Sequence, residues 1–570
     1  MPPQWRFIGK SNENLPPYPE LPPSLWDWLQ TRGITTHQQV NELREASLRY
    51  LKSPFLIKGV EKSALRILEA YKKNQKICIY GDFDMDGTPA VAILYKGFED
   101  LGFQNLFYYQ PSRLSEGYGL HAHSLRQFKE ENVDLVITVD LGITAIAEAQ
   151  LAKELGIDLI ITDHHLPGGE LPEAYTIINP NQGDCPSQMG YLAGTGVAFY
   201  LLLAVKQSLS QAGVNINNFN AKEYVDLFAL GTIADMVPIK GDNHRLVKHG
   251  LVQLAKTKHL GLKELLKSLD LWGRPLQSVD VAMKIAPSLN ALSRLELQTR
   301  PIELLVCDKP ELATHLAKQT KEVNQLRKEL QQKATAMALE NILLNPPENL
   351  ILVTSEQFHK GVIGLVATRL MQDHGLPAFV GTIKNEIIIG SARAPESDEE
   401  LDLTKILEQC SEFLTKFGGH KKAAGFELNL NHLNQFRERL ENVLSKQINR
   451  KEKIQEITYD VEVNIEELNP LYMKWLEEFE PFGKDFSPPI FKISNVPLVN
   501  LKRLSGRHLK LTLGSYNQSN KWEGLWFSPN EEVAKGLYEG ACVDLLAELQ
   551  WNYFRGARSL QLLVKDLKIS

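Results

Sequence analysis

Short apolar runs alternate with helical patterns through the first half of the chain. The runs at 77–80, 135–139 and 159–162 are rich in Val, Ile and Leu, which predicts strands that are buried on both faces. Helical patterns follow after Thr88 and across 145–155. Because strands that alternate with helices form parallel sheets with crossover helices, the pattern predicts an α/β domain.

Acidic and histidine side chains follow each of these apolar runs. In chain order they are Asp82, Asp84, Asp86, Asp140, Asp163, His164 and His165. A further acid, Asp235, lies in the segment GTIADMVP, which follows a helix-like run at 224–230. Because the carboxyl ends of parallel strands face one crevice of an open sheet, we expect these side chains to converge.

Carboxylates at this density raise one another's pKa unless cations lie among them. A set of Asp and His ligands without Cys favours hard ions such as Mg or Mn. Two such ions held around a bridging Asp can activate a water near neutral pH and neutralise the oxygens of a phosphate. The residues therefore predict a metal site for phosphoester hydrolysis.

Two alternatives exist for the first acidic cluster. Its Asp-x-Asp-x-Asp-Gly pattern also begins an EF-hand calcium loop, but that loop needs Glu at its twelfth position, where this chain has Ile93. An acidic surface loop is the simpler alternative, since an acid at a strand end is often structural. The coincidence of four such segments favours the metal site over both.

The composition limits the number of domains and the class of protein but does not indicate a function. A chain of 570 residues is too long for one core and predicts three or more domains. No apolar stretch reaches membrane-spanning length and the N-terminus has no apolar signal core, so we expect a soluble, cytoplasmic protein. The five Cys include no CxxC pair, which predicts buried thiols without disulfides or a zinc site. The net charge of -6 still allows a local basic groove.

A helical lead-in and a long helix flank the predicted catalytic domain. The lead-in is expected to hold one helix that ends near Gly33 and a second over 40–51. The long helix is predicted over 310–344, and its short apolar repeat favours an interdomain connector over a coiled-coil arm. The apolar side of this helix is expected to consist of Leu312, Leu316, Val323, Leu326 and Leu330.

Glycine-rich segments mark a second domain after the long helix. A strand at 350–354 precedes Gly361 and a helix that ends near His374, and the segments GSAR and GGHKKAAG follow. Backbone N–H groups at glycines can bind phosphate, and Arg393 and His420 add charge, although a glycine pair alone is more often a turn.

Short alternating strands at 508–513, 522–527, 542–549 and 560–564 predict a small C-terminal β-barrel. Its aromatic residues can either stack on bases or fill the barrel core, and we expect one or two of the five to be exposed. They are Trp522, Trp526, Trp551, Tyr553 and Phe554, interleaved with Lys502, Arg503, Arg507, Lys510, Arg555 and Arg558.

The motifs DFDMDG, VDLG, DHH and GTIADMVP, in this order and spacing, resemble those of the DHH phosphoesterase superfamily. Within it, LQTRGIT, SPFLIKGVEKSALRI and NYFRGARSLQLLVKDL resemble the RecJ family, and the resemblance spans nearly the whole chain. The GGH-x-x-AAG segment resembles the DHH-associated domain. The resemblance implies an α/β protein with five regions. These are a helical lead-in at 1–55, a parallel-sheet DHH catalytic domain at 56–308, a connecting helix at 309–346, a smaller α/β DHH-associated domain at 347–450 and an OB-fold β-barrel at 456–570.

The resemblance also implies roles for residues. It assigns two Mn or Mg ions to Asp82, Asp84, Asp86, Asp140, His164 and Asp235, with Asp140 as the bridge. Asp163 and His165 receive orienting and proton-transfer roles, and Asp163 is a candidate to fix the tautomer of a ligand His. The implied nucleic-acid contacts are Asn290, Arg294, Gly361, Ser391, Arg393, Gly418, Gly419 and His420. Ser288 stands where the family has Arg, so one phosphate contact is expected to be weaker.

The activity implied is metal-dependent 5′ to 3′ hydrolysis of single-stranded DNA in repair and recombination. The expected protein is a monomer that works with a single-strand-binding protein and a helicase. One alternative is hydrolysis of short RNA or cyclic dinucleotides by a related DHH enzyme, which usually lacks the third domain. The other is a non-catalytic DNA-binding scaffold, which the retention of every ligand position disfavours.

Overall fold

The computed structural model describes residues 3–9, 18–295, 297, 299–447, 456–504, 508–514, 521–527, 529–554 and 557–570. Within these ranges the strands form a two-stranded pair and three larger sheets. Each larger sheet belongs to a different part of the chain, which confirms the expected α/β architecture with two α/β domains and a C-terminal barrel.

The N-terminal segment packs on the C-terminal barrel, which the expectation of a helical lead-in did not foresee. Its elements are β1 (Gln4–Phe7), α1 (Pro23–Thr31) and α2 (His37–Glu45). β1 pairs in parallel with a strand at Glu456–Tyr459. Trp28 of α1 is fully buried, with its ring 5.9 Å from that of Phe479 and 5.7 Å from that of Phe486.

The first large domain is a parallel sheet covered by helices. Its elements are α3 (Val60–Lys73), β2 (Ile77–Gly81), α4 (Gly87–Asp100), β3 (Leu106–Tyr109), α5 (Ala122–Glu130), β4 (Leu135–Val139), α6 (Ile146–Leu155), β5 (Asp158–Thr162), β6 (Thr176–Ile178), α7 (Gly194–Gln211), α8 (Val225–Ala234), α9 (Asp242–Leu254), α10 (Leu260–Ser268), α11 (Ser278–Asp280), α12 (Ala286–Leu295) and α13 (Pro301–Val306). The sheet order is β3-β2-β4-β5-β6, and a π-helical turn at Val281–Ile285 joins α11 to α12.

The three strands predicted from apolar runs, β2, β4 and β5, form the centre of this sheet. Every residue of β2 and β4 is buried, as continuous apolar sequence requires. The pattern did not reveal β3, which is only half buried, or β6, which has three residues. Burial on one face leaves a weaker apolar signal, so such strands escape recognition.

The second domain carries a mixed sheet. Its elements, with the connecting helix, are α14 (Pro310–Leu344), β7 (Ile351–Ser355), α15 (Ile363–His374), β8 (Ala378–Lys384), β9 (Ile387–Arg393), α16 (Leu403–Glu408), β10 (Leu414–His420), β11 (Ala423–Asn429) and α17 (Leu433–Gln447). The order is β10-β11-β9-β8-β7, and only the β7–β8 pair is parallel.

The long helix α14 has the predicted length, but the prediction of its buried side was partly wrong. Leu312 and Leu326 are exposed, whereas Ala313, Ala317 and Ala338 are buried. Small side chains let neighbouring helices approach closely, so burial follows the positions of α10 and α12, and for Ala338 that of α15, rather than side-chain size.

The third domain is a barrel. Its elements are β12 (Glu456–Tyr459), β13 (Val461–Glu462), α18 (Pro470–Phe479), β14 (Phe491–Arg503), β15 (Leu509–Leu513), β16 (Trp522–Trp526), α19 (Glu531–Gly536), β17 (Cys542–Phe554) and β18 (Ala557–Ile569). The order is β13-β14-β15-β16-β18-β17, and an additional β14–β17 pairing closes the barrel.

The expectation of exposed barrel aromatics was wrong for the side chains that the structure describes. Trp526 is buried, and Trp522, Trp551 and Tyr553 are half buried. Trp551 donates its indole N–H to Glu477, and Arg274 covers the ring of Tyr553 at 4.8 Å. These rings are occupied by protein contacts. The side chain of Phe554, and Arg507 and Arg555, lie outside the described residues.

The cysteines are free, as predicted, but only Cys78 and Cys410 are buried. Cys542 is exposed because it begins β17 at the end of the barrel wall. Among the described helices, none combines the length and the apolar character that crossing a membrane requires.

Candidate active site

The acidic segments meet at the carboxyl edge of the parallel sheet. His164 Nε2 lies 3.2 Å from Asp140 Oδ1, 3.5 Å from Asp86 Oδ2 and 3.7 Å from Asp235 Oδ2. Asp235 lies in the turn that follows α8, as expected, but the helix extends further than predicted and includes residues 231–234 of the motif. Loops after β2, β4 and β5 and the end of one helix therefore build one cluster.

Two groups of possible metal ligands lie side by side. One consists of Asp82, Asp84 and Asp140, the other of Asp86, His164 and Asp235, and within each group the donor atoms lie within 4.8 Å of one another. A third such group joins Asp140 and His164 with His165. Asp140 thus stands between the two sets, as a bridging ligand would.

Unpaired polar atoms show that the cluster fits cations. Among the described residues, Asp82 Oδ1, Asp140 Oδ1 and His164 Nε2 are buried without a hydrogen-bond partner. Burial and then the charge of Asp84 raise the pKa of Asp82 to about 8, and burial and then Asp86 raise the pKa of Asp235 to about 8. Oxygen and imidazole donors under such repulsion fit hard divalent ions, which would lower these pKa values again.

The N-terminus of α7 holds Asp86. Its carboxylate accepts hydrogen bonds from the backbone N–H of Gly194 at 2.6 Å and of Thr195 at 2.8 Å. A helix N-terminus favours a negative charge, so this contact orients Asp86 toward the cluster. A Cβ at Gly194 would lie 2.6 Å from Asp140 Oδ1, so the position has no room for a side chain. The sequence interpretation missed Gly194 and Thr195, although the GTG at a helix start was a visible signal.

Asp140 has a left-handed backbone with φ 60°. Non-glycine residues rarely adopt this conformation, and such strain concentrates at functional sites. A hydrogen bond stabilises this turn: Thr138 Oγ1 donates to the carbonyl of Leu141 at 2.9 Å. This geometry directs the Asp140 carboxylate to the middle of the cluster.

Asp163 contacts the ring of His165, not that of the proposed ligand His164, so its suggested tautomer role was assigned to the wrong histidine. Its Oδ1 accepts from His165 Nδ1 at 2.7 Å and from the backbone N–H of His164 at 2.7 Å. Burial raises the pKa of Asp163, but the bonds from His165 outweigh it and hold the pKa below its usual value. Burial lowers the pKa of His165, but Asp163 reverses this and the pKa rises to about 9.

Three arginines lie beside the acidic cluster. Burial, followed by the charges of Arg113, Arg327 and Arg393, lowers the pKa of Arg294 to about 9. Arg113, which the sequence interpretation missed, also has its guanidinium 5.0 Å from the ring of Phe83 in the first acidic motif. Within the described part of the chain, Arg113, Arg294 and Arg393 form no ion pair with a carboxylate, and Arg393 donates only to Ser391 and to the carbonyl of Ala392. Guanidinium groups without a carboxylate partner suit the binding of an anion, so these three arginines are a candidate anion site.

Both domains contribute to this anion site. A Cβ at Gly361 would lie 2.0 Å from the carbonyl oxygen of Arg294, so only glycine lets the second domain approach α12 here. Arg393 Nη1 donates to Ser391 Oγ at 2.9 Å, beside Gly364 in the first turn of α15. Asn290, one turn before Arg294, has a buried and unpartnered Oδ1.

The remaining predicted contacts lie elsewhere on the same sheet. Gly418, Gly419 and His420 are exposed on the edge strand β10 rather than in a turn. Gly418 pairs with Gly425, which pairs with Ser391. The edge strand is therefore two strands away from the arginines, and no described contact joins it to the acidic cluster.

Three family models match consecutive parts of the chain. They are the DHH family, N-terminal domain, at residues 76–232, the DHHA1 domain at 348–446 and the RecJ OB domain at 459–566. Fold and site together define a metal-dependent phosphoesterase of the DHH type.

Similar proteins extend the match over the whole chain. The single-stranded-DNA-specific exonuclease RecJ of Bacillus subtilis is 33% identical, over 96% of this chain and 68% of that protein. The RecJ of Escherichia coli is 31% identical over 96% of both chains. The crystal structure of Thermus thermophilus RecJ in complex with Mn²⁺ has a TM-score of 0.80 at 27% identity, covering 100% of this chain and 80% of that one. The chain belongs to the RecJ family of single-stranded-DNA-specific exonucleases.

Proposed function

We propose that this protein removes nucleotides from the 5′ end of single-stranded DNA by metal-dependent hydrolysis of phosphodiester bonds. The observation that carries the proposal is the position of the unpaired arginines Arg113, Arg294 and Arg393 beside two carboxylate-rich ligand groups that meet at Asp140. Such a pair of sites can hold a terminal phosphate and the scissile phosphate of one strand at the same time.

The charge of the strand ends supports the 5′ polarity. A terminal phosphate carries a charge of about −1.5 to −2 at pH 7, whereas each internal phosphodiester carries one negative charge. A natural 3′ end carries a hydroxyl and no additional charge. Buried arginines without carboxylate partners therefore favour the 5′-phosphorylated end of the strand.

The chain's own residues divide the chemistry among themselves. Asp82, Asp84, Asp86, Asp140, His164 and Asp235 would hold two Mn²⁺ or Mg²⁺ ions. When bound, these ions supply Lewis-acid activation of a water and neutralise charge on the phosphate. Asp163 accepts from Nδ1 of His165, so Nε2 of that ring is the atom that can give a proton to the leaving oxygen. The arginines bind the terminal phosphate, and Asn290 lies close enough to Arg294 to contact the same nucleotide.

The ranges of the five regions, the partners and the location extend this proposal. Residues 56–308 would perform hydrolysis, while 347–450, reached through 309–346, and 456–570 with 1–55 would guide the strand. Gly418, Gly419 and His420 offer an exposed backbone edge for phosphates on the 3′ side of the scissile bond. A monomer in the cytoplasm that receives strands from a helicase and a single-strand-binding protein fits this activity.

The test uses one oligonucleotide labelled at either end, supplied with Mn²⁺ or Mg²⁺ and then with a chelator. We expect the 5′-terminal nucleotide to appear first, from single-stranded DNA only, and chelator to stop its release. Asp140→Asn should lower the rate by roughly 10³-fold or more, because Asp140 belongs to one ligand group and lies beside His164 of the other.

Other results would support other functions. Release from the 3′ end first would contradict the arginine anchor. Preference for very short RNA would indicate a different DHH phosphoesterase. Binding without metal-dependent cleavage would indicate a scaffold.

A further inference from the structure

A chain of hydrogen bonds fixes one more arginine on the long helix α14. Ser288 Oγ donates to the carbonyl of Lys284 at 2.6 Å and accepts from Asn324 Nδ2 at 2.9 Å. Asn324 Oδ1 in turn accepts from Arg327 Nη2 at 2.6 Å. Because Ser288 and Asn324 are buried between α12 and α14, they give the Arg327 guanidinium a defined position.

The surroundings of Arg327 are unusual for a structural arginine. Its other bonded nitrogen, Nη1, donates to the neutral side chain of Gln331 at 2.9 Å. Within the described residues it forms no ion pair, and burial lowers its pKa. It is half buried, and its charge is among those that lower the pKa of Arg294. Like charges repel each other, and an anion bound by both guanidinium groups would offset this repulsion.

We propose that Arg327 is a fourth arginine of the anion site and binds the 5′-terminal phosphate of the DNA together with Arg294. The inference rests on the proposed function and deepens it, since it assigns α14 a direct part in substrate binding. In the sequence this helix was interpreted as a connector only. The Ser288–Asn324 pair is then a support that directs Arg327 to the phosphate.

The expected effect is confined to one kind of substrate. Arg327→Gln keeps the bond to Asn324 possible and removes one positive charge. A lost charge-assisted contact should weaken binding of 5′-phosphorylated single-stranded DNA by about tenfold. Binding of the same strand with a 5′-hydroxyl should change less than twofold. Arg327→Lys should recover part of the loss, because it restores the charge without the planar fork.

The matched control is Lys328→Gln. Lys328 is the next residue on α14 and is exposed. Its replacement by Gln removes the same charge from a side chain that does not face α12. It should leave the preference for the 5′-phosphate unchanged. Thermal unfolding without DNA provides a second readout, because removing a like charge from the cluster should not lower the melting temperature of Arg327→Gln.

The experiment measures binding of both oligonucleotides by fluorescence anisotropy in chelator, and then the KM and kcat of their degradation with Mn²⁺. A tenfold rise in Kd and KM for the phosphorylated strand alone, with kcat nearly unchanged, supports the proposal. An equal loss on both strands, or a lower melting temperature with an unchanged preference, overturns it. If the wild-type protein itself shows no preference for a 5′-phosphate, this inference fails, whereas the proposed function fails only if the 5′-terminal nucleotide is not the first to be released.

Discussion

His164 and His165 are neighbours in the chain, yet their contacts separate their chemistry. His164 points its Nε2 at three carboxylates, without a hydrogen-bond partner of its own. His165 is bound to Asp163 through Nδ1. An unpaired ring nitrogen among carboxylates suits a metal ligand, whereas a ring paired with a buried carboxylate suits proton transfer.

A single methyl group at Gly194 tests how closely the cluster is packed. Gly194→Ala would place a Cβ 2.6 Å from Asp140 Oδ1 and displace that carboxylate. We expect Mn²⁺ affinity to fall by about 10 to 100-fold, as for other changes that misplace a ligand. Isothermal titration with Mn²⁺ measures this.

The control is Gly183→Ala, at an exposed glycine where an added methyl group would have no atom within 4 Å. It should bind Mn²⁺ as the wild-type protein does. Unchanged affinity in Gly194→Ala would contradict the close packing of α7 against Asp140.

Among the elements, the β10–β11 hairpin places a pair of glycines, Gly418 and Gly419, on an exposed edge strand. Gly419 has φ 144°, and a Cβ there would lie 2.5 Å from the carbonyl oxygen of Ala423. A Cβ at Gly418 would have no atom within 4 Å. One glycine is therefore needed for the hairpin, while the other leaves open space over the backbone.

The two glycines should respond differently to alanine. Gly419→Ala should lower stability by about 1–3 kcal/mol, because it adds strain and a clash. Gly418→Ala should change stability by less than about 0.5 kcal/mol. It should nevertheless weaken binding of single-stranded DNA if this backbone approaches phosphates.

Thermal unfolding and DNA affinity at one salt concentration distinguish the two effects. If Gly418→Ala binds single-stranded DNA with the affinity of the wild-type protein, the edge strand β10 does not contact the DNA.

At the scale of the whole molecule, the N-terminal segment, the first domain and the barrel share one junction. Lys248 of α9 donates to the carbonyl of Glu478, and Gln277 donates to Glu480 Oε1 at 2.7 Å. Burial, opposed by the bond from Gln277, raises the pKa of Glu480 to about 7. The junction therefore contains one carboxyl group, that of Glu480, whose burial costs less free energy when it is protonated.

This carboxyl predicts a pH dependence of stability. Its folded pKa of about 7 lies above the ordinary value of 4.5, so the folded state binds the proton more tightly. The stabilisation is fully present below about pH 4.5 and is lost as the pH rises through 7. Glu480→Gln should therefore be more stable than the wild-type protein at pH 8 by about 1–2 kcal/mol, and the difference should shrink toward pH 5.

Denaturant unfolding between pH 5 and 8 measures this difference. The exposed Glu466, replaced by Gln, is the matched control and should follow the wild-type curve. Parallel curves for Glu480→Gln and the wild-type protein would show that Glu480 is ionised throughout.

The sequence alone determined the central strands, the long helix and the residues of the acidic cluster. Strands buried on both faces need continuous apolar residues, which stand out in any chain. The ligands follow those strands directly, so the parallel sheet brings them together without further information. Asp82, Asp140 and His164 were therefore recognisable before any contact was known.

Only the tertiary structure decided what surrounds this cluster. Arg113, in the loop after β3, and Arg327, in α14, stand in no periodic pattern that indicates a site, and it was the family resemblance that had marked Arg294 and Arg393. The support of Asp86 by α7, and the packing of Trp28 on the barrel, join residues that are far apart in the chain. Such contacts depend on how whole elements pack. A local signal such as the GTG of α7 can mark a helix start, but it does not say which side chain will lie against that helix.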